Sequence, residues 1–136
     1  MKVVVIEPGY ADYEHELAIL DKFTKEMQVV PLGTPYAEVI AAVKDADAIM
    51  VREAKVNEVL INSLEKCKVI VRYGVGVDNI DLAAAKMRGI YVANVPDYGS
   101  EDVAEHAVAL MLSAARRIPS RNNDVKQGVW GVGQAE

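Results

Sequence analysis

Short apolar runs alternate with longer stretches of helical spacing along most of the chain. The runs are rich in β-branched residues, and turn-forming or charged residues follow them. They predict five strands, which start or lie at 3–6, 29–30, 48–51, 69–71 and 91–95. Between them the apolar residues recur every three or four positions, as in amphipathic helices, with inner faces expected at Leu17, Leu20 and Phe23, at Val39, Ile40 and Val43, and at Val59, Leu60 and Leu64.

The alternation of strands and helices predicts an α/β fold. Helical crossovers between parallel strands are right-handed, so the sheet is expected to be parallel with helices on both faces. Five strands fit a flavodoxin-like sheet of order 2-1-3-4-5. Ligands of such sheets bind beyond the carboxyl ends of the strands, where this sequence has Glu7, Pro8 and Gly9 after strand one and Arg52 and Glu53 after strand three.

The fourth strand opens the stretch with the strongest candidate chemistry, Val69 to Asp81. Its apolar run is followed by Arg72 and Tyr73 and then by Gly74-Val75-Gly76. The two glycines let the backbone turn sharply and approach a ligand closely. Exposed amide N–H groups beside a guanidinium favour an anion, which is either a carboxylate or a phosphate.

Simpler interpretations of these residues stay open. An ordinary strand-to-helix turn with solvated charges explains the glycine stretch about as well, and a salt bridge to Glu53 or Glu7 is the alternative for Arg52. The stretch is not a dinucleotide fingerprint, because Asn79 stands where a third glycine is needed.

The last forty residues follow a different pattern. Pro96-Asp97-Tyr98-Gly99 predicts a hinge, and Ser100 is a favourable N-cap for a helix expected from about Glu101 to Ile118. Pro119 is expected to interrupt that helix, and a polar helix is expected to follow it through Lys126.

The predicted helix has few polar residues between Val103 and Ala115. A helix that is apolar nearly all round must be covered on several sides. We therefore expect the arm 100–118 to self-associate, as a homodimer or by exchange of the arm between protomers. His106 lies in the middle of this element, and a structural role fits it better than acid–base catalysis.

Composition narrows the class of protein and of partner. The 136 residues, 51% of them hydrophobic, suit one compact domain with an appendage. A net charge of −5 without a basic block argues against nucleic acid, and the apolar runs are too short to span a membrane. Cys67 is the only cysteine, and a strand rather than a signal peptide starts the chain, so a cytoplasmic location is expected.

Several motifs, in this order, resemble the D-isomer-specific 2-hydroxyacid dehydrogenases. The resemblance is to the phosphoglycerate dehydrogenases and to bacterial relatives of the C-terminal-binding protein, and it covers essentially the whole chain. It is carried by Val-Arg-Glu-Ala at 51–54, Val-Arg-Tyr-Gly-Val-Gly-Val-Asp-Asn-Ile-Asp at 71–81, Arg-Gly-Ile-Tyr-Val-Ala-Asn-Val-Pro at 88–96 and Ser-Glu-Asp-Val-Ala-Glu-His at 100–106.

The resemblance implies a domain organisation and a function. Residues 1–97 would form a flavodoxin-like substrate (catalytic) domain, and residues 98–136 a hinge and interdomain helical arm. The Rossmann domain that binds NAD in the family would lie beyond Glu136, together with the catalytic residues. The chain is therefore expected to bind no cofactor or metal and to be inactive alone, as the substrate-binding part of an NAD-dependent oxidoreductase acting on the CH-OH group of D-2-hydroxy acids.

The same resemblance implies the site residues. The backbone amides of Val75 and Gly76 would hold the carboxylate of a small substrate, and Arg52 and Arg72 would line its pocket, with Tyr73 and Gly74 beside them. Which 2-hydroxy acid binds is left open. The alternatives are a stand-alone module for small carboxylates and, ranked last, a protein-interaction module.

Overall fold

The computed structural model describes residues 1–6, 9–10, 12–24 and 26–131. The chain divides between Tyr98 and Gly99 into two compact units. The first unit contains β1 (Lys2–Ile6), α1 (Glu14–Leu20), β2 (Glu26–Val30), α2 (Tyr36–Val43), β3 (Ala48–Val51), α3 (Glu58–Ser63), β4 (Val69–Arg72), α4 (Leu82–Met87) and β5 (Tyr91–Ala93). The second contains α5 (Ser100–Ala115) and α6 (Ile118–Lys126).

The five strands form one parallel sheet in the order β2-β1-β3-β4-β5, so the predicted fold and strand order are confirmed. Ile49 of β3 pairs with Val4 of β1 and with Ile70 of β4, which in turn pairs with Val92 of β5. These four side chains form an apolar row across one face of the sheet, because alternate residues of a strand point to the same side.

Three helices cover that face. The core cluster joins the row to Val39 and Val43 of α2, Leu60 and Ile61 of α3, and Ala84 and Ala85 of α4. The opposite face carries Met50, whose sulfur lies 3.6 Å from the Tyr73 hydroxyl, and the same hydroxyl contacts Glu16 of α1. Helices therefore lie on both faces, as strands buried on both sides require.

Some positions expected to face the core are exposed instead. The side chain of Val59 points to solvent, and Ile61 takes the inward position on α3. Leu17 and Phe23 are also exposed, and Phe23 lies beyond the end of α1. Apolar spacing predicted these helices correctly, but on such short helices it did not identify every inward side chain.

Local capping explains where the helices around β4 begin and end. The side chains of Asn57 and Asp81 accept hydrogen bonds from the backbone N–H groups of Leu60 and Ala84 and so cap the N-termini of α3 and α4. Gly89 adopts a φ of +66° directly after α4, the left-handed conformation that favours glycine at a helix end.

Element ends in the carboxyl-terminal part differ from the prediction. Strand β5 ends at Ala93 rather than Val95, and Gly99 rather than Ser100 occupies the N-cap position of α5. The predicted helix to Ile118 stops at Ala115, because Arg117 turns into the left-handed region with a φ of +51°. Pro119 therefore lies in the first turn of α6, where its missing N–H costs nothing.

No helix in the described part of the chain is both long enough and apolar enough to cross a bilayer.

Candidate functional site

Two arginines meet at the carboxyl edge of the sheet. Arg72 ends β4 beside Val51 of β3, and its Nε donates a hydrogen bond of 3.2 Å to the carbonyl oxygen of Arg52. Its Nη2 lies 3.2 Å from Oε1 of Glu53. With only 17% of its side chain exposed, Arg72 is held in place by two neighbours on the segment that follows β3.

Arg52 extends over the end of β1. A Cβ atom added to Gly9 would lie 1.7 Å from its Nη1, so the guanidinium rests on the Gly9 backbone. Its Nε is 3.9 Å from Glu53 Oε1, an exposed pair that contributes little stability. The ends of β1, β3 and β4 thus converge here, while Glu7 and Pro8, also expected at this edge, lie outside the described residues.

The glycine turn packs directly against Arg72. Gly74 is buried with a φ of +147°, and a Cβ atom on it would lie 1.6 Å from Nη1 of Arg72. The backbone conformation therefore favours glycine at this position, and a side chain here would displace the Arg72 guanidinium. Val75 and Gly76 follow at the surface, where their backbone is accessible.

Hydrogen bonds brace this turn from both sides. The N–H of Val95 donates to the carbonyl oxygen of Gly74 at 3.0 Å, and Nδ2 of Asn94 donates to that of Val75 at 2.7 Å. Nδ2 of Asn79, the residue that replaces the third glycine of a dinucleotide loop, donates to the carbonyl oxygens of Ala54 at 2.9 Å and Arg52 at 3.3 Å. The turn is thereby tied to the arginine segment.

The backbone N–H groups of Val75 and Gly76 make no hydrogen bond to any described residue. They belong to exposed residues of a braced turn, and the Arg72 guanidinium lies against the adjoining Gly74. Donors arranged in this way suit a single carboxylate or phosphate oxygen pair.

Tyr73 makes its contacts elsewhere. Its hydroxyl donates to Oε1 of Glu16 at 3.0 Å, and its ring meets Tyr10 edge to face, with 5.4 Å between the ring centroids. Burial, followed by the hydrogen bond to Glu16 and its charge, raises the pKa of the Tyr73 phenol. The side chain lines a separate groove with Tyr10, Asp12, His15 and Glu16, which the sequence analysis did not foresee.

The described part of the chain contains no group of three or more His, Cys, Asp or Glu side chains that could hold a metal ion. Of the helices that begin at this edge of the sheet, α3 and α4 are capped by the side chains of Asn57 and Asp81, whereas no side chain caps α1 or α2.

Fold and site together define an α/β domain with two guanidinium groups and a braced glycine turn at the carboxyl edge of its sheet. Comparison with known families agrees with this class. The profile of the D-isomer specific 2-hydroxyacid dehydrogenase catalytic domain matches residues 3–129. The chain belongs to this family.

Among its relatives, the chain is similar to D-3-phosphoglycerate dehydrogenases. The chain is 44% identical over 131 residues to the D-3-phosphoglycerate dehydrogenase of Archaeoglobus fulgidus and 43% identical to that of Methanocaldococcus jannaschii. Both alignments cover 96% of this chain but only 24% of the relative. The chain thus spans about a quarter of the length of these relatives.

A solved structure of a 3-phosphoglycerate dehydrogenase is also similar to this chain. The NAD+-bound 3-phosphoglycerate dehydrogenase of Entamoeba histolytica superposes with a TM-score of 0.67 at 33% sequence identity. The match covers 82% of this chain and 38% of that one.

Proposed function

We propose that this chain binds the carboxylate of a D-2-hydroxy or 2-keto acid, as the substrate-binding part of an NAD-dependent, phosphoglycerate dehydrogenase-like oxidoreductase. The observation that carries the proposal is a pair of amides, at Val75 and Gly76, that have no hydrogen-bond partner among the described residues. They follow Gly74, against which the guanidinium of Arg72 lies. Membership of the 2-hydroxyacid dehydrogenase family supports the same reaction class, oxidation or reduction at a CH-OH carbon.

The geometry assigns a positioning task to the site. Two amide donors and a guanidinium bind the two carboxylate oxygens, and hydrogen bonds to a charged acceptor are the stronger kind. Because Asn79, Asn94 and Val95 brace the turn, a bound acid is held in one orientation. Holding the carboxylate in one orientation also fixes the position of the neighbouring C2 atom, on which a second domain can act.

We further propose that the chain does not catalyse the reaction by itself. The relative of Entamoeba histolytica was solved with NAD+ bound, and in NAD-dependent dehydrogenases the cofactor carries out the hydride transfer. The glycine turn of this chain is not a dinucleotide fingerprint, because Asn79 stands where a third glycine is needed. Of the two histidines, His15 lines the groove beside Tyr73, and His106 lies on α5 in the second unit.

A titration monitored by amide NMR tests both statements. Adding D-glycerate to the ¹⁵N-labelled chain is expected to shift the amide signals of Val75 and Gly76 more than any others. The Arg72→Gln variant is expected to bind about tenfold more weakly, since a hydrogen bond to a charged group is worth about 1.5–3 kcal/mol. Oxidation of NADH with a 2-keto acid is expected to stay at background.

Glycerol is the control ligand, because it lacks the carboxylate. Equal shifts with glycerol, or shifts confined to the groove of Tyr10 and Tyr73, contradict the proposed site. Turnover above background contradicts the proposal that the chain is inactive alone.

We also propose that α5 mediates self-association. Its apolar residues are exposed, among them Val103, Leu110 and Met111, which fall on one face of the helix at spacings of seven and eight residues. Exposed apolar faces of this length usually contact another protein surface. A second copy of the chain provides a matching face, either side by side or with the arm exchanged about residues 96–99.

Analytical ultracentrifugation tests this surface. The chain is expected to sediment as a dimer at micromolar concentration, and Met111→Lys is expected to raise the dimer dissociation constant at least tenfold, because it buries a charge in an apolar contact. Met87→Lys is the control, since Met87 is also exposed, at 77% against 62% for Met111, but lies on α4. A monomer at all concentrations, or equal effects of the two substitutions, contradicts the proposal.

A further inference from the structure

We infer that Asn94 is a positioning residue of the proposed carboxylate site. It fixes the orientation of the peptide unit between Val75 and Gly76, so that the N–H of this unit, rather than its carbonyl oxygen, faces the acid. The inference rests on the proposed function, because it concerns the same pair of amides. It starts from the direction of two peptide units in the glycine turn.

The two candidate amides belong to two successive peptide units. The first unit joins the carbonyl group of Gly74 to the N–H of Val75, and the second joins the carbonyl group of Val75 to the N–H of Gly76. The described residues contain no cis peptide bond. In a trans unit the carbonyl and N–H groups point in opposite directions. A partner that holds the carbonyl oxygen therefore also sets the direction of the N–H.

The segment after β5 holds both of these carbonyl oxygens. The N–H of Val95 donates to the oxygen of Gly74 at 3.0 Å, and Nδ2 of Asn94 donates to the oxygen of Val75 at 2.7 Å. Both oxygens thus face the segment 94–95, and the N–H groups of Val75 and Gly76 point away from it. This places the two donors on the same side of the turn, as a bound carboxylate requires.

The two contacts differ in how they depend on the sequence. Val95 donates from its backbone, and any residue except proline supplies that N–H. Asn94 donates from its side chain to a carbonyl oxygen, which can only accept. A leucine at position 94 has a similar size but no donor, so the orientation of the second unit depends on the residue type at this position.

Without the contact to Asn94 the second unit is free to turn over. A peptide unit rotates about ψ of the residue before it and φ of the residue after it, here Gly76, and glycine accepts positive and negative φ about equally. The unit that has turned over presents a carbonyl oxygen, which repels a carboxylate. The apparent affinity for an acid then falls with the fraction of molecules that keep the binding orientation.

The Asn94→Leu variant tests this role. Residual dipolar couplings of the full chain without ligand report the direction of each N–H. The coupling of the Gly76 N–H is expected to change, whereas that of the Val75 N–H, whose unit is held by Val95, is expected to stay. D-glycerate is expected to bind about fivefold more weakly, as for the loss of one hydrogen bond. Asn94→Ala, which also lacks the donor, is expected to give the same result.

Asn62→Leu is the matched control. Asn62 is exposed like Asn94 but lies on α3, so the variant makes the same exchange of side chain in another element. It is expected to leave both the coupling of the Gly76 N–H and the affinity for D-glycerate unchanged. A side chain at position 94 that only fills space would also leave that coupling unchanged in Asn94→Leu, so the coupling separates positioning from packing.

The outcomes distinguish the role of Asn94 from the proposed site. If D-glycerate does not shift the amide signals of Val75 and Gly76 in the unsubstituted chain, the carboxylate site is wrong. If D-glycerate binds there and the coupling of the Gly76 N–H or the affinity is the same in Asn94→Leu, the role of Asn94 is wrong while the site stands. Equal effects of Asn94→Leu and Asn62→Leu also contradict the role of Asn94.

Discussion

Replacing Gly74 by alanine is expected to abolish carboxylate binding and to lower the free energy of unfolding by about 1–3 kcal/mol. The residue has a φ of +147°, a conformation that side chains with a Cβ rarely adopt. A methyl group would also occupy the position of the Arg72 guanidinium. The loss of binding follows from the second effect, since Arg72 must move away from the amides of Val75 and Gly76.

Gly33→Ala separates the two effects. Gly33 has a φ of +84° in the turn after β2, and a Cβ atom there meets no atom within 4 Å. This control is expected to lose about 1–2 kcal/mol from backbone strain alone and to bind D-glycerate normally. Urea unfolding and the amide titration measure the two quantities. Unchanged binding in Gly74→Ala would contradict the assigned contact between the turn and Arg72.

The second large effect is expected in the core. Ile49 lies in β3, the middle strand of the sheet; it is fully buried and pairs with Val4 and Ile70. Ile49→Ala removes three methyl or methylene groups from this row and leaves a cavity, so the free energy of unfolding is expected to fall by about 2–5 kcal/mol.

Ile19→Ala is the matched control for this substitution. Ile19 belongs to α1 with 64% of the residue exposed, and its replacement is expected to change stability by less than about 0.5 kcal/mol. Unfolding is followed through far-UV circular dichroism and through amide signals of the first unit, since Trp130 belongs to the second. Equal losses in the two variants would contradict the assignment of Ile49 to the core.

The features predictable from the sequence are the local ones. Runs such as Val3–Ile6 and Ala48–Val51 are too short and too apolar for anything but buried parallel strands, and right-handed crossovers then restrict the strand order. The caps Asn57 and Asp81 act within three residues of themselves, so they too follow from the local sequence. The convergence of Arg52, Arg72 and the glycine turn at one edge follows from the parallel sheet.

What the sequence does not determine are contacts between distant side chains. The hydroxyl of Tyr73 meets Glu16 across 57 positions, and no spacing rule links such a pair. The sharing of one Glu53 oxygen by two arginines depends on side-chain rotamers. The end of α5 depends on the left-handed backbone conformation of Arg117. The sequence suggested instead that Pro119, two residues later, ends the helix.

The pairing of β3 with β4 has a further consequence. It ends at Val51 and Arg72, and the two segments meet again in a parallel bridge between Val56 and Ile80. The segment after β3 takes five residue steps between these two pairings, and the segment after β4 takes eight. Together they form a loop around the site that is closed at both ends. Because both ends are paired, the strands cannot shift in register to compensate for a change in the length of either segment. A residue inserted or deleted between Tyr73 and Asn79 would therefore change the size of the opening, and with it the size of the acid that the proposed site admits.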